Sequence, residues 1–228
     1  MGDFICAPSA MCLDLARLED ELRALEAAGA DEIHFDIMDG VFVPNYTLGF
    51  DFIKAAKRCT SLPCSAHLMI VRPERYIERF AEAGCDYISV HVEAGGHAHR
   101  LLGQIRDTGA VPGISINPAT PLTRLNYLLP EAERVLMMTV DPGYAGQTII
   151  PNAFERVRIL RQVIDYHKYK TQIEVDGNID VANCAKLKRM GAEIFVLGTA
   201  SICKGPGSDY AKALPEFRQA VLREEQMV

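Results

Sequence analysis

The 228-residue sequence contains no tryptophan, and aromatic residues make up only 7% of it. A surface that stacks nucleic-acid bases needs aromatic faces, so such a platform is not expected. No basic run stands out: 30 Asp and Glu outnumber 24 Lys and Arg, leaving a formal charge of −6. That balance argues against binding a nucleic-acid backbone. No stretch of 18 apolar residues occurs, so no membrane-spanning helix is expected. The N-terminal MGDFICAPSA lacks a basic segment followed by an apolar one and does not read as a signal peptide. After Met1-Gly2, Cys6 stands where a myristoylation signal wants Ser or Thr. The seven cysteines are scattered singly, their number is odd and no CxxC occurs. A disulfide framework or thiolate zinc knuckle is therefore not expected; reduced thiols in a cytoplasmic protein are.

What the sequence does have is apolar surface to bury. Hydrophobic residues make up 49% and charged residues 24%, which excludes disorder as the main state. No linker or low-complexity segment breaks the chain, so one domain over residues 1–228 is expected.

Eight short apolar runs alternate with longer amphipathic stretches: FICAPS (4–9), EIHFDIM (32–38), CSAHLMI (64–70), DYISVHV (86–92), VPGISI (111–116), RVLMMTV (134–140), TQIEVD (171–176) and EIFVLG (193–198). Between the first two, Leu15, Leu18, Leu22 and Leu25 recur at helical spacing. Gly29, Gly84, Gly109 and Gly191 each follow a helix-like segment and precede a strand, where a helix end wants a left-handed residue. Alternation at this density predicts a parallel sheet. Eight units in this length predict an α/β fold, a single (β/α)8 TIM barrel. A doubly wound open sheet would usually show a glycine-rich fingerprint after the first strand, and CAPSAMCLDL has none.

Strand interiors of such a barrel should be aliphatic, yet several runs end in ionisable residues. His34, Asp36 and Met38 share a strand face because side chains alternate. His67 and His91 fall near the ends of the third and fourth strands, and Glu174 and Asp176 share a face of the seventh. C-terminal strand ends are where barrels build active sites. Taken together, His34, Asp36, His67 and Asp176 make a set of two imidazoles and two carboxylates. That donor mixture suits one divalent cation: Zn2+ first, with Fe2+, Mn2+ or Co2+ as alternatives. Met38, Met69 and Met138 read as core filling, and His97 and His99 as solvated loop residues.

Glycine-bearing loops follow the last three strands: DPGYAGQ (141–147), DGN (176–178) and GTAS (198–201). Backbone N–H groups after the seventh and eighth strands commonly receive a phosphate in barrels.

The motifs APS (7–9), HFDIMDG (34–40), FVPN (42–45), HLM (67–69), INPATP (116–121), MTVDPGYAGQ (138–147), IEVDG (173–177) and GTA (198–200) resemble those of the ribulose-phosphate 3-epimerase family, from the first strand to the eighth. The resemblance implies a barrel of the ribulose-phosphate binding type holding one divalent metal on His34, Asp36, His67 and Asp176. It implies that Asp36 and Asp176 are the catalytic acid/base pair. It further implies that Ser9, His67, Gly143, Tyr144, Ala145, Gly146, Gly177, Asn178, Gly198 and Thr199 meet a sugar phosphate, and that the chain forms a homo-oligomer. The expected reaction inverts C3 of a ketose phosphate through an enediolate. Four positions depart from the family pattern: Ala145 in GYAGQ where GFGGQ is usual, Asn178 for the second glycine of VDGG, Val41 after MDG, and MCLDL (11–15) for an LSADF-like segment. MCLDL and MTVDPGYAGQ are more similar to the branch that converts D-allulose 6-phosphate to D-fructose 6-phosphate. A six-carbon substrate is therefore expected, with D-ribulose 5-phosphate, giving D-xylulose 5-phosphate, close behind. A barrel decarboxylase or aldolase would place Lys at an inner strand end, and the eight runs contain none. A catalytically silent sugar-phosphate-binding barrel would lack one of the four acid or ligand residues, and all four are present.

Overall fold

The computed structural model describes residues 4–226; the Met1-Gly2 start, read above for lipidation, lies outside them. Eight strands form: β1 (Ile5–Pro8), β2 (Ile33–Met38), β3 (Cys64–Met69), β4 (Tyr87–His91), β5 (Val111–Ile116), β6 (Arg134–Met138), β7 (Gln172–Asp176) and β8 (Ile194–Leu197). All pair in parallel, in the order β1-β8-β7-β6-β5-β4-β3-β2. A parallel bridge between Ser9 and His34 closes the ring from β1 to β2. The result is the expected (β/α)8 barrel.

Helices α1 (Leu18–Ala27), α2 (Phe50–Lys57), α3 (Ile77–Ala83), α4 (Ala98–Asp107), α5 (Ala153–His167) and α6 (Val181–Arg189) make crossovers, and α7 (Tyr210–Gln226) follows β8. The connection from β5 to β6 departs from the pattern, holding only the 3-10 turn Leu122–Leu125. Pro118, Pro121 and Pro130 explain this, since each lacks an N–H donor and keeps the residue before it out of the helical region. Leu15 also departs from expectation. It sits in a 3-10 turn, Leu15–Arg17, whose start is capped by the Asp14 side chain, and is 51% exposed. Arg17 leaves helical geometry there, so α1 begins at Leu18 and buries Leu22 and Leu25 instead. Gly29, Gly84, Gly109 and Gly191 all take positive φ, as the junction signature required. Among the described residues no helix is long and apolar enough to cross a membrane.

Alternation divides the strand residues between two environments. Ile33, Phe35 and Ile37 of β2 join the main core between sheet and helices. The alternate positions, His34, Asp36 and Met38, lie outside that core, as do Ser65, His67 and Met69 of β3. The barrel interior is therefore polar as well as buried.

Its lower end is plugged by charge. Arg134, at the start of β6, makes two 2.9 Å hydrogen bonds to the two carboxylate oxygens of Glu32. Its guanidinium stacks 3.5 Å from the Tyr87 ring centroid and lies 3.9 Å from Glu174. Removing one member of such a network strands the others without water or partner. Arg134→Met should thus lower the urea unfolding free energy by about 3–5 kcal/mol, by leaving Glu32 and Glu174 unpaired. A loss below about 1 kcal/mol, a surface-pair magnitude, would show that the network is not holding the interior.

Candidate active site

Strand register brings the four expected metal-site residues to one rim. Asp36 pairs with His67 across β2 and β3, while Asp176 ends β7, reached from β2 through β1 and β8. His34 Nε2 lies 3.4 Å and His67 Nδ1 3.2 Å from Asp36 Oδ1, and Asp176 Oδ2 lies 3.8 Å from His67 Nδ1. One donor atom from each of the four falls within 4.8 Å of all the others. His34, Asp36 and His67 are buried; the Asp176 side chain keeps 18% exposure at the mouth.

His34 Nε2 is fully buried yet has no hydrogen-bond partner. A buried polar nitrogen costs free energy when left unmatched. Here it faces two carboxylates and a second imidazole across a gap of ligand dimensions. That orphaned nitrogen, together with the donor chemistry, fits a divalent cation.

The two carboxyls are pushed in opposite directions. Burial opposes the charge on Asp36, but the adjacent His34 and His67 rings outweigh it and hold the group well below the usual carboxylate range. Asp176 is pushed up to about 8, first by burial and then by the nearby charge of Asp36. Two carboxyls separated in this way are suited to opposite halves of a proton transfer. Burial works to neutralise His34, yet Asp36 and Glu174 raise it, whereas burial keeps His67 below its ordinary value.

The surrounding groups were only partly legible. Ser9, expected to contact substrate, donates its hydroxyl to Asp36 Oδ2 at 2.7 Å and so aims the carboxylate. His34 Nδ1 lies 3.0 Å from Ser65 Oγ and 3.2 Å from Glu174 Oε1, but that Glu174 oxygen makes no hydrogen bond. His91 Nε2 lies 2.7 Å from His67 Nε2, and its Nδ1 lies 3.1 Å from Glu93 Oε2. His91 and Glu174 carried a sequence signal, a polar residue on an inward strand face; Glu93 carried none. His97 and His99 are exposed and, among the described residues, belong to no metal cluster.

Above the four residues lies a pocket walled by Met38, Met69 and Met138 and rimmed by the loops after β6, β7 and β8. The methionines are buried, as core filling is, and also keep the pocket wall apolar. Cys12 lines the same pocket, a residue not anticipated from sequence; burial pushes its thiol up to about 11, so it is unreactive near neutrality. The loop after β6 is tied to the loop after β2, because Asn45 Nδ2 donates to Gly143 O at 2.9 Å and the Tyr144 hydroxyl to Pro44 O at 2.7 Å. Ala145 and Gly146 are exposed on that loop, and Val41 is 70% exposed beside the mouth.

Gly177 follows β7 at φ 117°, and a Cβ there would come within 2.5 Å of Val140 Cγ2, so both conformation and space demand glycine. Thr139 donates its hydroxyl to Asp176 O at 2.8 Å and holds the strand end in place. Asn178 adopts φ 51°, the left-handed region that Asn tolerates best after glycine, and its side-chain amide donates to Gln147 O. The departure from the double glycine thus leaves the turn intact and links two rim loops.

Residues 5–202 match the model of the ribulose-phosphate 3 epimerase family. Over 227 residues the chain is 43% identical to "Ribulose-phosphate 3-epimerase" of Synechocystis sp., covering 99% of this chain and 97% of that one. It is 39% identical to the protein of the same name from Escherichia coli K12, covering 98% of each. It is also 40% identical to the chloroplastic ribulose-5-phosphate-3-epimerase of Arabidopsis thaliana, covering 93% of this chain and 75% of that one. Among solved structures, a mutant tryptophan synthase alpha-subunit from Pyrococcus furiosus superimposes with a TM-score of 0.68 at 17% identity, covering 98% of this chain and 100% of that one. At that identity the likeness concerns the fold alone.

Proposed function

The chain belongs to the ribulose-phosphate 3-epimerase family and is an isomerase, and from that premise we propose that it inverts C3 of D-ribulose 5-phosphate to give D-xylulose 5-phosphate, with Asp36 and Asp176 as the acid/base pair. The observation that supports this most directly is the pair of carboxyls at one pocket floor, driven apart in proton affinity by their surroundings. The C3 hydrogen of a 2-ketose is acidified by the neighbouring carbonyl. Inversion needs its removal from one face and delivery of a proton to the other. Asp36 and Asp176 reach the pocket from strands separated by β1 and β8, so substrate seated between them meets one carboxyl on each face. The ionised member takes the C3 proton, the protonated member returns one to the opposite face of the enediolate, and the roles exchange in the reverse direction.

His34 Nε2, Asp36, His67 Nδ1 and Asp176 would hold the divalent cation. Zn2+ suits the donors best, with Fe2+, Mn2+ or Co2+ able to replace it. When bound, the ion supplies Lewis-acid stabilisation of the charge that develops on the ketose oxygens. The backbone N–H groups of Gly177, Asn178, Gly198 and Thr199, with Gly146 nearby, are assigned to the phosphate. Ser9, His67 and the segment Gly143, Tyr144, Ala145 and Gly146 are assigned to the sugar. These contacts fix C3 between the carboxyls.

The departures at Ala145 and MCLDL favour a six-carbon ketose. The five-carbon choice follows the names of relatives that match nearly the whole chain. Side-by-side kinetics of the zinc-loaded protein decide between them. Ribulose 5-phosphate should exceed allulose 6-phosphate in kcat/KM by about 10-fold or more, the scale of one extra group in a shaped pocket; the reverse order would overturn the substrate assignment. In the same preparations, elemental analysis should find one divalent ion per wild-type chain and almost none in His67→Ala. Equal contents would remove His67 from the ligand set.

A further inference from the structure

We infer that Glu93, acting through His91, sets the position of the proton on the His67 ring and so keeps His67 Nδ1 available as a metal ligand. This deepens the metal-site assignment above and rests on it.

The Glu93 carboxylate selects one proton arrangement along the chain His67–His91–Glu93. His67 Nε2 and His91 Nε2 are 2.7 Å apart, a separation that holds a single hydrogen, so one ring donates and the other accepts. The far nitrogen of His91, Nδ1, lies 3.1 Å from Glu93 Oε2. An ionised carboxylate only accepts, which places the His91 proton on Nδ1. His91 Nε2 then carries a lone pair, and His67 must donate from Nε2. The remaining nitrogen of His67, Nδ1, lies within hydrogen-bond distance of Asp36 Oδ1, at 3.2 Å, and 3.8 Å from Asp176 Oδ2, so its lone pair is free only for a cation shared with those carboxylates.

Glu93 is fixed well enough to impose this. Its other oxygen accepts the Asn117 N–H at 2.9 Å. His91 is fully buried, with the Phe42 ring centroid 4.7 Å from its own. Without the carboxylate, His91 is free to donate from Nε2. His67 would then accept at Nε2 and carry its proton on Nδ1, bonded to Asp36, and the ligand nitrogen would be blocked. The two metal-site histidines thus differ in their support. His34 has Ser65 and Glu174 directly against Nδ1, whereas His67 receives its carboxylate through a second imidazole. Such partners commonly alter metal affinity 10–100-fold.

The test uses 15N-labelled, zinc-loaded protein and two-bond 1H–15N correlation of the imidazoles. His91 should be protonated on Nδ1 with an unprotonated Nε2, and His67 should carry its proton on Nε2. His91 protonated on Nε2 would overturn the relay. Zinc affinity, measured by competition with a chelator, should fall about 10–100-fold in Glu93→Ala. Glu93→Gln, whose single amide oxygen can accept from His91 Nδ1–H only while its NH2 faces the Asn117 N–H, should lose less affinity than Glu93→Ala. An unchanged affinity in Glu93→Ala, or equal losses in both variants, would also overturn it; should Glu93→Ala not fold, the wild-type spectrum decides. Wild-type protein that takes up no zinc would overturn the metal-site assignment instead, and the His91 tautomer in the metal-free spectrum would still settle the relay.

Discussion

Asp176→Asn should lower kcat by about 10⁴-fold or more while leaving the fold in place. Loss of one general acid or base typically costs 10²–10⁴-fold. Asn can neither take nor return a proton at C3, and it also removes a charged donor from the four-residue cluster. Asn has nearly the shape of Asp, and Thr139 holds this strand end through the main chain, so the local backbone should survive. Ionised Asp176 is disfavoured by burial and by Asp36, which gives the folded metal-free protein no reason to need that charge. Circular dichroism and the urea midpoint should therefore stay close to wild type. In D2O the wild-type product should carry deuterium at C3, since the proton returned comes from the opposite carboxyl after exchange with solvent. Product lacking solvent hydrogen at C3, or an Asp176→Asn variant retaining more than about one per cent of the rate, would remove Asp176 from the acid/base pair.

Removing the phosphate from the substrate should lower kcat/KM by about 10²–10⁴-fold. Hydrogen bonds to a charged partner contribute about 1.5–3 kcal/mol each, so two well-made N–H contacts at the rim account for that range. The loss should fall on kcat as well as KM, because binding energy far from C3 is what holds C3 between the carboxyls. The rim is suited to this: Gly177 and Asn178 both take positive φ, and the Asn178 amide braces the loop after β6 through Gln147 O. Comparable kcat/KM for ribulose and ribulose 5-phosphate would rule out an anion clamp at these loops.

Much of this molecule could be read along the chain, because the physics that sets it is local. The period of two puts His34, Asp36 and Met38 on one face whatever else the chain does. The glycine after four of the helices, Gly29, Gly84, Gly109 and Gly191, marks where the backbone must turn left-handed, and all four take positive φ. The motif chemistry, two His and two Asp on inward strand faces, is therefore visible in the sequence. Where local signals misled, a local competitor was responsible: Asp14 capped a tighter turn and exposed Leu15, and three prolines kept the crossover after β5 from forming an α-helix.

Ring closure decided the rest. Asp176 is far from Asp36 in sequence, and only the order β2-β1-β8-β7 brings them to a common floor, where Asp36 raises the proton affinity of Asp176 through space. Ser9 pairs with His34 at the closing seam and so comes to aim Asp36. Glu174 and Arg134 meet in the interior, and Glu93 reaches His67 only through His91. The residue types and strand faces belong to the sequence, since alternation and turn geometry act over a few bonds. The proton affinities, the unmatched nitrogen of His34 and the support behind each imidazole depend on distances across the barrel, and those exist only once all eight strands have closed.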